Sequence, residues 1–600
     1  MSLVVQLLGR PRATRAGAEA YRFRSRKSWA LLAYLLLTER APTRAQLAGM
    51  LFAEADDPLR TLRWSLAEIR RALGADGSVD GDPVVLHLDA TVVVDVAVLA
   101  HGSWVEAVGL PGLGAELLDG VTLQGAAAFE SWLLSEQRRV AASAEAVLHE
   151  AALGWLSRGV LDTAREYAVR AAAMSPLDEN SQALLIRLYR LAGDDEAAER
   201  QFAAWSKVAE SELGVGPGVA AIAALQEVAR RPEQVADAAS IAAVVEAGSA
   251  AVSAGAVDAG AQSLRTAVRL ADAAGLDGLR VRARLVLAEA LVHALGGLDE
   301  EGLATLYEAD AVARASGDAD ASAQARAELG YVDFLRARYD RAEVWLTDAQ
   351  AIGAGSLALA AKTTTYLGSV ESDRGSYLRA TDLLHDAVRL SREAGDPRRE
   401  AFALSMLGRI ELLCGRADAA ARHLDASLSL AEQDRWLAFL PWPQALRGEA
   451  DLVRGDLTSA AELLRQAFAR ACQIGDPCWE ATAARGLALL AEASGDTGRA
   501  FEVLIDARVR GRRLADPYVW LDVHILDALC ELGLRHEHPG TRRWVDTMRE
   551  LASRTGMKEL VVRSRLHGAA LGDAGDAEAA ALLAQEVDNP ALDLRVRALV

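Results

Sequence analysis

The 600-residue sequence contains little cysteine and lysine, and each shortage excludes a class of protein. Four cysteines form neither a disulfide framework nor a closely spaced pair of metal ligands, so buried thiols are expected. The lysines are Lys27, Lys207, Lys362 and Lys558, and none of them follows a glycine. A Walker loop needs a lysine after glycine to reach nucleotide phosphates, so the sequence excludes a P-loop ATPase.

Long apolar runs are missing as well. Although 51% of the residues are hydrophobic, no stretch is long enough to cross a bilayer, and no compact apolar block follows a basic start. We therefore predict no membrane partner, no secretory leader and a cytoplasmic location.

No serine, cysteine or carboxylate constellation of a catalytic site stands out. The sequence accordingly predicts no enzyme activity, no cofactor and no metal.

The net charge is −19, but the charge is unevenly distributed. Residues 1–75 carry thirteen Lys+Arg and six Asp+Glu, or +7, which leaves 52 against 78, or −26, for the remainder. A basic face attracts nucleic acid, whereas an acidic body repels a phosphate backbone. The amino-terminal end is therefore the part expected to contact nucleic acid.

Residues 240–510 repeat about every 40 residues. In each copy a small residue is followed twelve positions later by another small residue, and a leucine comes four positions after that. The first small residues are Gly330, Gly368, Gly408, Gly448 and Ala488, and the leucines are Leu346, Leu384, Leu424, Leu464 and Leu504. This spacing predicts stacked helical hairpins, with small residues where two helices cross. It resembles the tetratricopeptide repeat, although that family's standard unit is shorter, at about 34 residues.

Helix ends are also indicated within the repeats. The pairs Asp396-Pro397, Asp476-Pro477 and Asp516-Pro517 supply a capping carboxylate and a first-turn proline, so they predict helix starts. Glycines that easily reach positive φ predict helix ends, and they are Gly375, Gly415, Gly455 and Gly495.

The amino-terminal segment has the pattern of a helix–turn–helix backed by short strands. Strands are predicted over residues 3–8 and 20–24, a buried helix over 28–37, and a terminal hairpin from strands 84–88 and 92–96. Thr43 is expected to cap the second helix, and Pro58 to open the third.

The third helix sets Arg60, Thr61, Arg63 and Arg70 away from its apolar stripe. Arginines in that position can reach a DNA groove or phosphates, because the second helix of such a pair fits the major groove. The alternative is a solvated arginine-rich helix, since nearly all basic residues of this sequence are arginine.

Two adjoining segments resemble the domains of a known family. The order of elements from Leu3 to Leu99, with Arg26-Lys27, Leu62-Arg63 and Arg70-Arg71, resembles the OmpR-type winged helix of the Streptomyces antibiotic regulatory protein family. Residues 118–225 resemble the bacterial transcriptional activator domain that follows it. The marks of the second domain are Phe129-Glu-Ser-Trp132, Arg138-Arg139, Arg158-Gly159, the turn from Met174 to Asp178, Gly193-Asp194 and the segment from Glu212 to Pro217.

The resemblance implies roles for the basic residues. It implies that Arg60, Thr61 and Arg63 contact base edges. Contacts with phosphates are implied for Arg26, Lys27, Arg44, Arg70 and Arg71. The segment expected to form the wing, Asp76 to Asp82, is acidic where relatives often present basic residues. The wing is therefore either held off the duplex or replaced by the arginines between Arg10 and Arg24.

Aromatic residues, which make up 5% of the chain, cluster at hairpin entrances of the repeats. The cluster comprises Trp436, Phe439 and Trp442, with Trp479 and Trp520 near later entrances. They either pack between hairpins or line a groove for a peptide, a protein segment or a small ligand.

Together these features predict a mainly α protein with a winged helix and small β-sheets at residues 1–100. A helical activator domain at 110–230 and a hairpin superhelix at 240–600 follow. The resemblance implies a transcriptional regulator, with promoter DNA and RNA polymerase as partners and a possible homodimer. The repeats would bind a signal or partner. The alternative function is a protein-interaction scaffold whose winged helix does not bind DNA.

Overall fold

The structure is a computed structural model that describes residues 3–15, 21, 23–38, 40–123, 125–213, 216–226, 237–253, 257–294, 300–434, 436–513 and 517–598. It is mainly helical with short strands near the amino terminus, which confirms the predicted fold class. The strands are β1 (Leu3–Gln6), β2 (Arg12–Arg15), β3 (Gly77–Asp80), β4 (Val85–Leu88) and β5 (Val93–Val94). Among the described helices, none is long and apolar enough to cross a membrane.

The helices follow one another closely along the chain. The first ten are α1 (Arg26–Leu37), α2 (Arg44–Phe52), α3 (Pro58–Leu73), α4 (Asp95–His101), α5 (Trp104–Ala107), α6 (Ala127–Leu156), α7 (Leu161–Met174), α8 (Glu179–Leu191), α9 (Asp195–Leu213) and α10 (Val219–Gln226). The next ten are α11 (Ala238–Ser253), α12 (Val257–Ala274), α13 (Asp277–Glu289), α14 (Glu300–Ser316), α15 (Ala319–Leu335), α16 (Tyr339–Ile352), α17 (Leu357–Arg374), α18 (Tyr377–Ala394), α19 (Pro397–Leu413) and α20 (Ala417–Gln433). The remaining helices are α21 (Pro441–Arg454), α22 (Leu457–Ile474), α23 (Pro477–Ala493), α24 (Thr497–Gly511), α25 (Val519–Arg535), α26 (Thr541–Thr555), α27 (Lys558–Ala570), α28 (Asp576–Ala584) and α29 (Pro590–Arg597). A π-helical turn at Ala290–Ala294 extends α13.

The chain forms two compact units. Unit 1 comprises Met1–Val147, Val545–Asp588 and Leu592–Val600, and unit 2 comprises Leu148–Trp544 and Asn589–Ala591. Each unit therefore draws on segments that are far apart in sequence. The division into domains at 1–100, 110–230 and 240–600 stays a prediction.

Unit 1 begins with a three-stranded sheet in the order β2-β1-β5. Strand β1 pairs antiparallel with β2 and parallel with β5, with Val5 opposite Ala13 and Val94. The second strand was predicted at residues 20–24, which is wrong, because β2 lies earlier. Of that predicted segment, Tyr21 makes an isolated bridge to Ala13, and Arg22 lies outside the described residues.

Helices α1 to α3 are followed by an antiparallel hairpin of β3 and β4, which is the element order of a winged helix. The predicted pairing of strands 84–88 and 92–96 is wrong. Gly81 has a φ of 89°, which lets the chain reverse between β3 and β4. After β4, the Asp89 carboxylate accepts hydrogen bonds from the backbone N–H and hydroxyl of Thr91. That turn leads the chain to β5, which pairs with β1 instead.

The predicted starts of the second and third helices are confirmed. The Thr43 hydroxyl accepts a hydrogen bond from the Gln46 N–H at the start of α2. The Asp57 carboxylate accepts one from the Arg60 N–H, and Pro58 is the first residue of α3. Each acceptor satisfies a backbone donor that has no partner inside the helix. The start of α2 and the start of α3 are therefore each fixed by a local hydrogen bond.

Residues 585–588 contact the corner between α1 and α2 inside unit 1. The Thr38 hydroxyl donates a hydrogen bond of 3.1 Å to the Glu586 carboxylate, and Arg40 forms an ion pair with Asp588. The side-chain amide of Gln46 also donates to that of Gln585. A segment encoded late in the chain thus completes the packing of the amino-terminal helices.

Unit 2 contains a series of antiparallel helix pairs from α11–α12 to α23–α24. The glycines of the repeat lie where the following helix crosses. A Cβ atom added at Gly408 would lie 2.5 Å from the Leu424 Cγ atom, and at Gly448 it would lie 2.7 Å from the Leu464 Cγ atom. Both leucines are fully buried. The predicted hairpins, with their small residues at the crossings, are confirmed.

The predicted helix ends are largely confirmed. Asp396 and Asp476 cap α19 and α23, each of which begins with the proline that follows. Helix α25 instead begins at Val519, two residues after Pro517, and Asp516 lies outside the described residues. The four terminating glycines all have positive φ, and they are Gly375, Gly415, Gly455 and Gly495.

A buried charge network joins three helices of unit 2. Arg409 on α19 and Asp373 on α17 form an ion pair in which both side chains are almost completely buried. The Tyr518 hydroxyl, just before α25, accepts a hydrogen bond of 2.6 Å from Arg409 and donates to the Asp373 carboxylate. The Tyr339 hydroxyl donates to the same carboxylate at 3.2 Å. The buried Asp373 carboxylate thus has one ion-pair partner and two hydroxyl donors.

Replacing Gly408 by alanine places a methyl group that overlaps Leu424, at a cost of ~1–3 kcal/mol. Alanine gains ~1 kcal/mol over glycine inside a helix, so the free energy of unfolding is expected to fall by up to about 2 kcal/mol. Gly278→Ala is the control, since a Cβ atom at Gly278 meets no atom within 4 Å. The control is expected to raise stability by about 0.5 kcal/mol. Urea unfolding of full-length variants measures both, and equal signs would contradict the crossing model.

Candidate nucleic-acid interface

Helix α3 buries one side and exposes the other. The buried side includes Leu62, Leu66, Ile69 and Leu73. At 3.6 residues per turn, positions 60, 63, 64, 67 and 71 fall in one stripe on the opposite side. Arg60, Arg63, Trp64 and Arg71 are all exposed in this stripe. We call these four residues and Ala67 the α3 face.

The arginines of the α3 face are held by their own helix. The Arg63 Nε atom donates to the Leu59 carbonyl and the Arg71 Nε atom to the Ala67 carbonyl, each at 3.2 Å. Each bond uses one of the five donors that a guanidinium carries. Thr61 is half-buried, and its hydroxyl donates to the Asp57 carbonyl at 3.0 Å. This hydrogen bond joins the Thr61 hydroxyl to the capping residue of its own helix.

Two residues that are predicted to contact phosphates, Arg70 and Arg44, form hydrogen bonds with the β3–β4 hairpin. The Arg70 Nε atom donates to the Val79 carbonyl at 2.8 Å, and its guanidinium lies 3.2 Å from the Asp80 carboxylate. The Arg44 side chain donates to the Gly81 carbonyl at 2.9 Å. In this arrangement both guanidinium groups face the hairpin. Each bond to a carbonyl uses one of the five donors of a guanidinium, and contact of Arg44 and Arg70 with phosphates stays a prediction.

The acidic hairpin is paired within the chain. Asp80 faces Arg70, and the Asp82 carboxylate accepts a hydrogen bond of 2.9 Å from the Arg44 N–H. At the base of the hairpin, Asp76 forms an ion pair of 2.7 Å with Arg15. The two ion pairs offset the charges of Asp76 and Asp80, whereas Asp82 keeps its negative charge. Arg15, one of the arginines considered as a substitute for the wing, is thereby occupied.

The remaining basic candidates lie at the start of α1. Arg26 is its first residue and is exposed. The Lys27 ammonium lies 5.3 Å from the ring centroid of Phe52, a cation–π distance that joins α1 to α2. The Glu68 carboxylate of α3 accepts hydrogen bonds from the Arg24 N–H and the Ser28 hydroxyl. The start of α1 is therefore fixed against α3.

Sequence reasoning missed Trp64. Its side chain is 68% exposed in the middle of the α3 face, with Arg60 one turn before it. The signal was present, since Trp64 is four residues after Arg60 and two after the buried Leu62. The predicted aromatic candidates were drawn from the repeats alone.

In unit 2, three of the candidate groove residues are buried. Phe439, Trp442 and Trp520 are at most 4% exposed. The Trp442 indole donates to the Ser405 hydroxyl at 3.2 Å, and the Arg409 guanidinium lies 4.2 Å from the Trp520 ring. Packing between helices, the alternative considered from the sequence, describes these three residues.

Trp436 and Trp479 are only half-buried. Trp436 stacks on Phe439 at a centroid distance of 4.2 Å, with the Arg398 guanidinium 5.8 Å from its ring. Trp479 lies 5.2 Å from Trp442. A ligand groove at these two residues stays a prediction.

Among the residues that the structure describes, no group of three or more acidic, histidine or cysteine side chains is placed to hold a metal ion.

The segment after the hairpin is similar to a known domain. Residues 88–229 match the bacterial transcriptional activator domain. This match confirms the activator-domain part of the resemblance. Of its predicted marks, Phe129 and Trp132 of α6 are buried, and Trp132 packs edge-on against Tyr34 of α1 at 4.9 Å. The part of the matched segment that lies in unit 1 therefore contacts helix α1 through Trp132.

The chain is also similar to solved structures at low sequence identity. A Rap protein in complex with competence and sporulation factor is 12% identical, with 60% of this chain and 90% of that chain covered and a TM-score of 0.40. Yeast Tom70 is 12% identical, with 71% and 95% covered and a TM-score of 0.32. A signal transduction ATPase from Pyrococcus horikoshii with a tetratricopeptide repeat sensor is 15% identical, with 84% and 65% covered and a TM-score of 0.31. No curated protein sequence matches the chain significantly.

Proposed function

We propose that the protein is a transcriptional activator that binds double-stranded promoter DNA through the α3 face. The observation that carries the proposal is the exposure of Arg60, Arg63 and Arg71 along one stripe of α3. A helix about 10–12 Å wide with basic side chains fits the major groove. The match of residues 88–229 to the bacterial transcriptional activator domain supports the activator part of the same conclusion.

The proposal assigns the other contacts to different parts of the chain. Arg26 and Lys27, at the start of α1, contact phosphates beside the groove, and the activator domain contacts RNA polymerase. The helix pairs of unit 2 bind a protein, a peptide or a small ligand near Trp436 and Trp479. The chain acts as a homodimer on paired half-sites, and no step of this function is catalytic.

A second candidate is a protein-interaction scaffold that does not bind DNA. The observation in its favour is that the hairpin binds Arg44 and Arg70, which reduces the basic charge available to phosphates. Against it, the ion pair between Asp80 and Arg70 offsets part of the repulsion that an acidic hairpin would exert. Salt dependence separates the two candidates, because only DNA binding releases condensed counterions.

The test uses full-length protein and a library of random DNA duplexes. After several rounds of selection, the affinity for the recovered duplex is measured between 50 and 200 mM salt, roughly the range over which counterion release is largest. Phosphate contacts of Arg26, Lys27 and Arg71 predict a slope of about −3 in log affinity against log salt. Failure to enrich any sequence, or binding that does not change with salt, would favour the scaffold.

A further inference from the structure

Trp64 is the most exposed aromatic feature of the α3 face. Its 68% exposure contrasts with the buried Leu62 and Leu66 on the other side of the same helix. An indole is among the largest apolar surfaces a side chain can offer, and contact with a partner removes that surface from water. Its position on α3 is therefore better suited to contact than to packing within unit 1.

The neighbours of Trp64 specify the charge of that partner. Arg60 and Arg63 flank it on one side, and Arg71 lies about two turns further along the same stripe. Cations around an apolar centre fit an anionic surface that carries apolar groups in a groove. The major groove of DNA has this character, because phosphates border it and the C5-methyl groups of thymine project into it.

We propose that Trp64 determines specificity by packing its indole against a thymine methyl group in the major groove. This inference rests on the proposed DNA-binding function and adds the base that the α3 face selects. The methyl group is the one apolar atom that distinguishes a thymine edge there. Arginine at position 60 or 63 complements this contact, because it prefers the paired acceptors of guanine.

Helix geometry also predicts the register of the two contacts. Arg60 and Trp64 are four residues apart, which corresponds to about 6 Å along the helix axis. Base pairs follow each other about every 3.4 Å, so the two side chains reach base pairs about two steps apart. The selected site should therefore contain a thymine about two base pairs from a guanine.

The test removes the methyl group without changing the hydrogen-bonding edge. Each thymine of the selected duplex is replaced in turn by deoxyuridine, and the affinities of full-length wild type and Trp64→Ala are compared. At one position, wild type is expected to lose about four-fold in affinity, the value for one buried methyl group. Trp64→Ala is expected to bind both duplexes equally at that position while keeping the salt slope of wild type.

Controls keep the outcomes distinct. Leu378→Ala removes a side chain of unit 2 that is 69% exposed, and it should retain the wild-type preference for thymine. Trp64→Gln serves as a second variant in case the alanine variant does not fold.

If both Trp64 variants discriminate thymine from deoxyuridine as wild type does, the inference is overturned while DNA binding stands. If wild type binds no duplex, the proposed function fails, and the inference fails with it. Loss of binding to a protein partner with unchanged base preference would assign Trp64 to a protein interface instead.

Discussion

Replacing Arg409 by alanine is expected to lower the free energy of unfolding of unit 2 by ~3–5 kcal/mol. The substitution leaves the Asp373 carboxylate buried without its ion-pair partner, and the Tyr518 hydroxyl loses the donor 2.6 Å away. Burial already raises the pKa of Asp373 to about 6, against the lowering effect of Arg409. Without the guanidinium, the carboxylate must take up a proton or the helices must separate. Urea unfolding of the full-length variant, followed by circular dichroism, measures the loss.

Two further variants test the cause of that loss. Arg389→Ala breaks an exposed pair with Asp386 and Glu393 on α18, and it should leave the unfolding midpoint unchanged. Combining Arg409→Ala with Asp373→Asn should recover part of the lost stability, because the buried charge is removed together with its partner. A double variant less stable than Arg409→Ala alone would show that the network does not act through the unpaired carboxylate.

The double substitution Arg60→Ala and Arg63→Ala is expected to reduce affinity for the selected duplex by at least about 30-fold. Each arginine that contacts a base edge or phosphate in the major groove contributes ~1–3 kcal/mol, and both side chains are exposed on the α3 face. The salt slope should also become shallower by about one for each phosphate contact that is lost. Fluorescence anisotropy with full-length protein at several salt concentrations measures both quantities.

A charge-matched control distinguishes contact from long-range attraction. Arg422→Ala with Arg465→Ala removes the same two charges from exposed positions of α20 and α22. This control should change affinity less than three-fold, roughly the effect expected from distant charge at physiological salt. An equal loss in both double variants would mean that the chain attracts DNA only by its overall field.

The repeats could be predicted from sequence because one local rule is used many times. A small residue, a second small residue and a leucine recur at fixed spacing, and the structure places Leu424 directly over Gly408. Helix ends follow similarly local rules, such as the Asp396 cap before Pro397. What recurs at a fixed period in sequence recurs as one packing contact in space.

The hairpin was assigned to the wrong pair of strands. Residues 84–88 were predicted to pair with 92–96, whereas Gly81 adopts positive φ and residues 77–80 of the expected wing pair with 85–88. The choice of partner strand is weakly encoded by local propensity. The contacts of Arg44 and Arg70 with the hairpin depend on this pairing and could not be predicted from the sequence.

The α3 face was predicted in part. The apolar period of α3 gave the exposed side and hence Arg60 and Arg63. The apolar period could not show which exposed residues form hydrogen bonds with neighbouring strands, because the positions of those strands depend on the tertiary fold. The same period also places Trp64 on the exposed side, although this signal was not used. The structure supplies the extent of its exposure.

The two-part composition of unit 1 has a consequence for how the chain matures during synthesis. Thr38, Arg40 and Gln46 contact residues 585–588, which a ribosome makes after the whole of Leu148–Trp544. At about 5–20 residues per second, translating the roughly 400 intervening residues takes on the order of 20–80 s. Throughout that interval the corner between α1 and α2 lacks its covering segment. A nascent protein therefore completes unit 1 only after the repeats of unit 2 have been synthesised. Folding of the amino-terminal unit is thereby tied to synthesis of the whole repeat array.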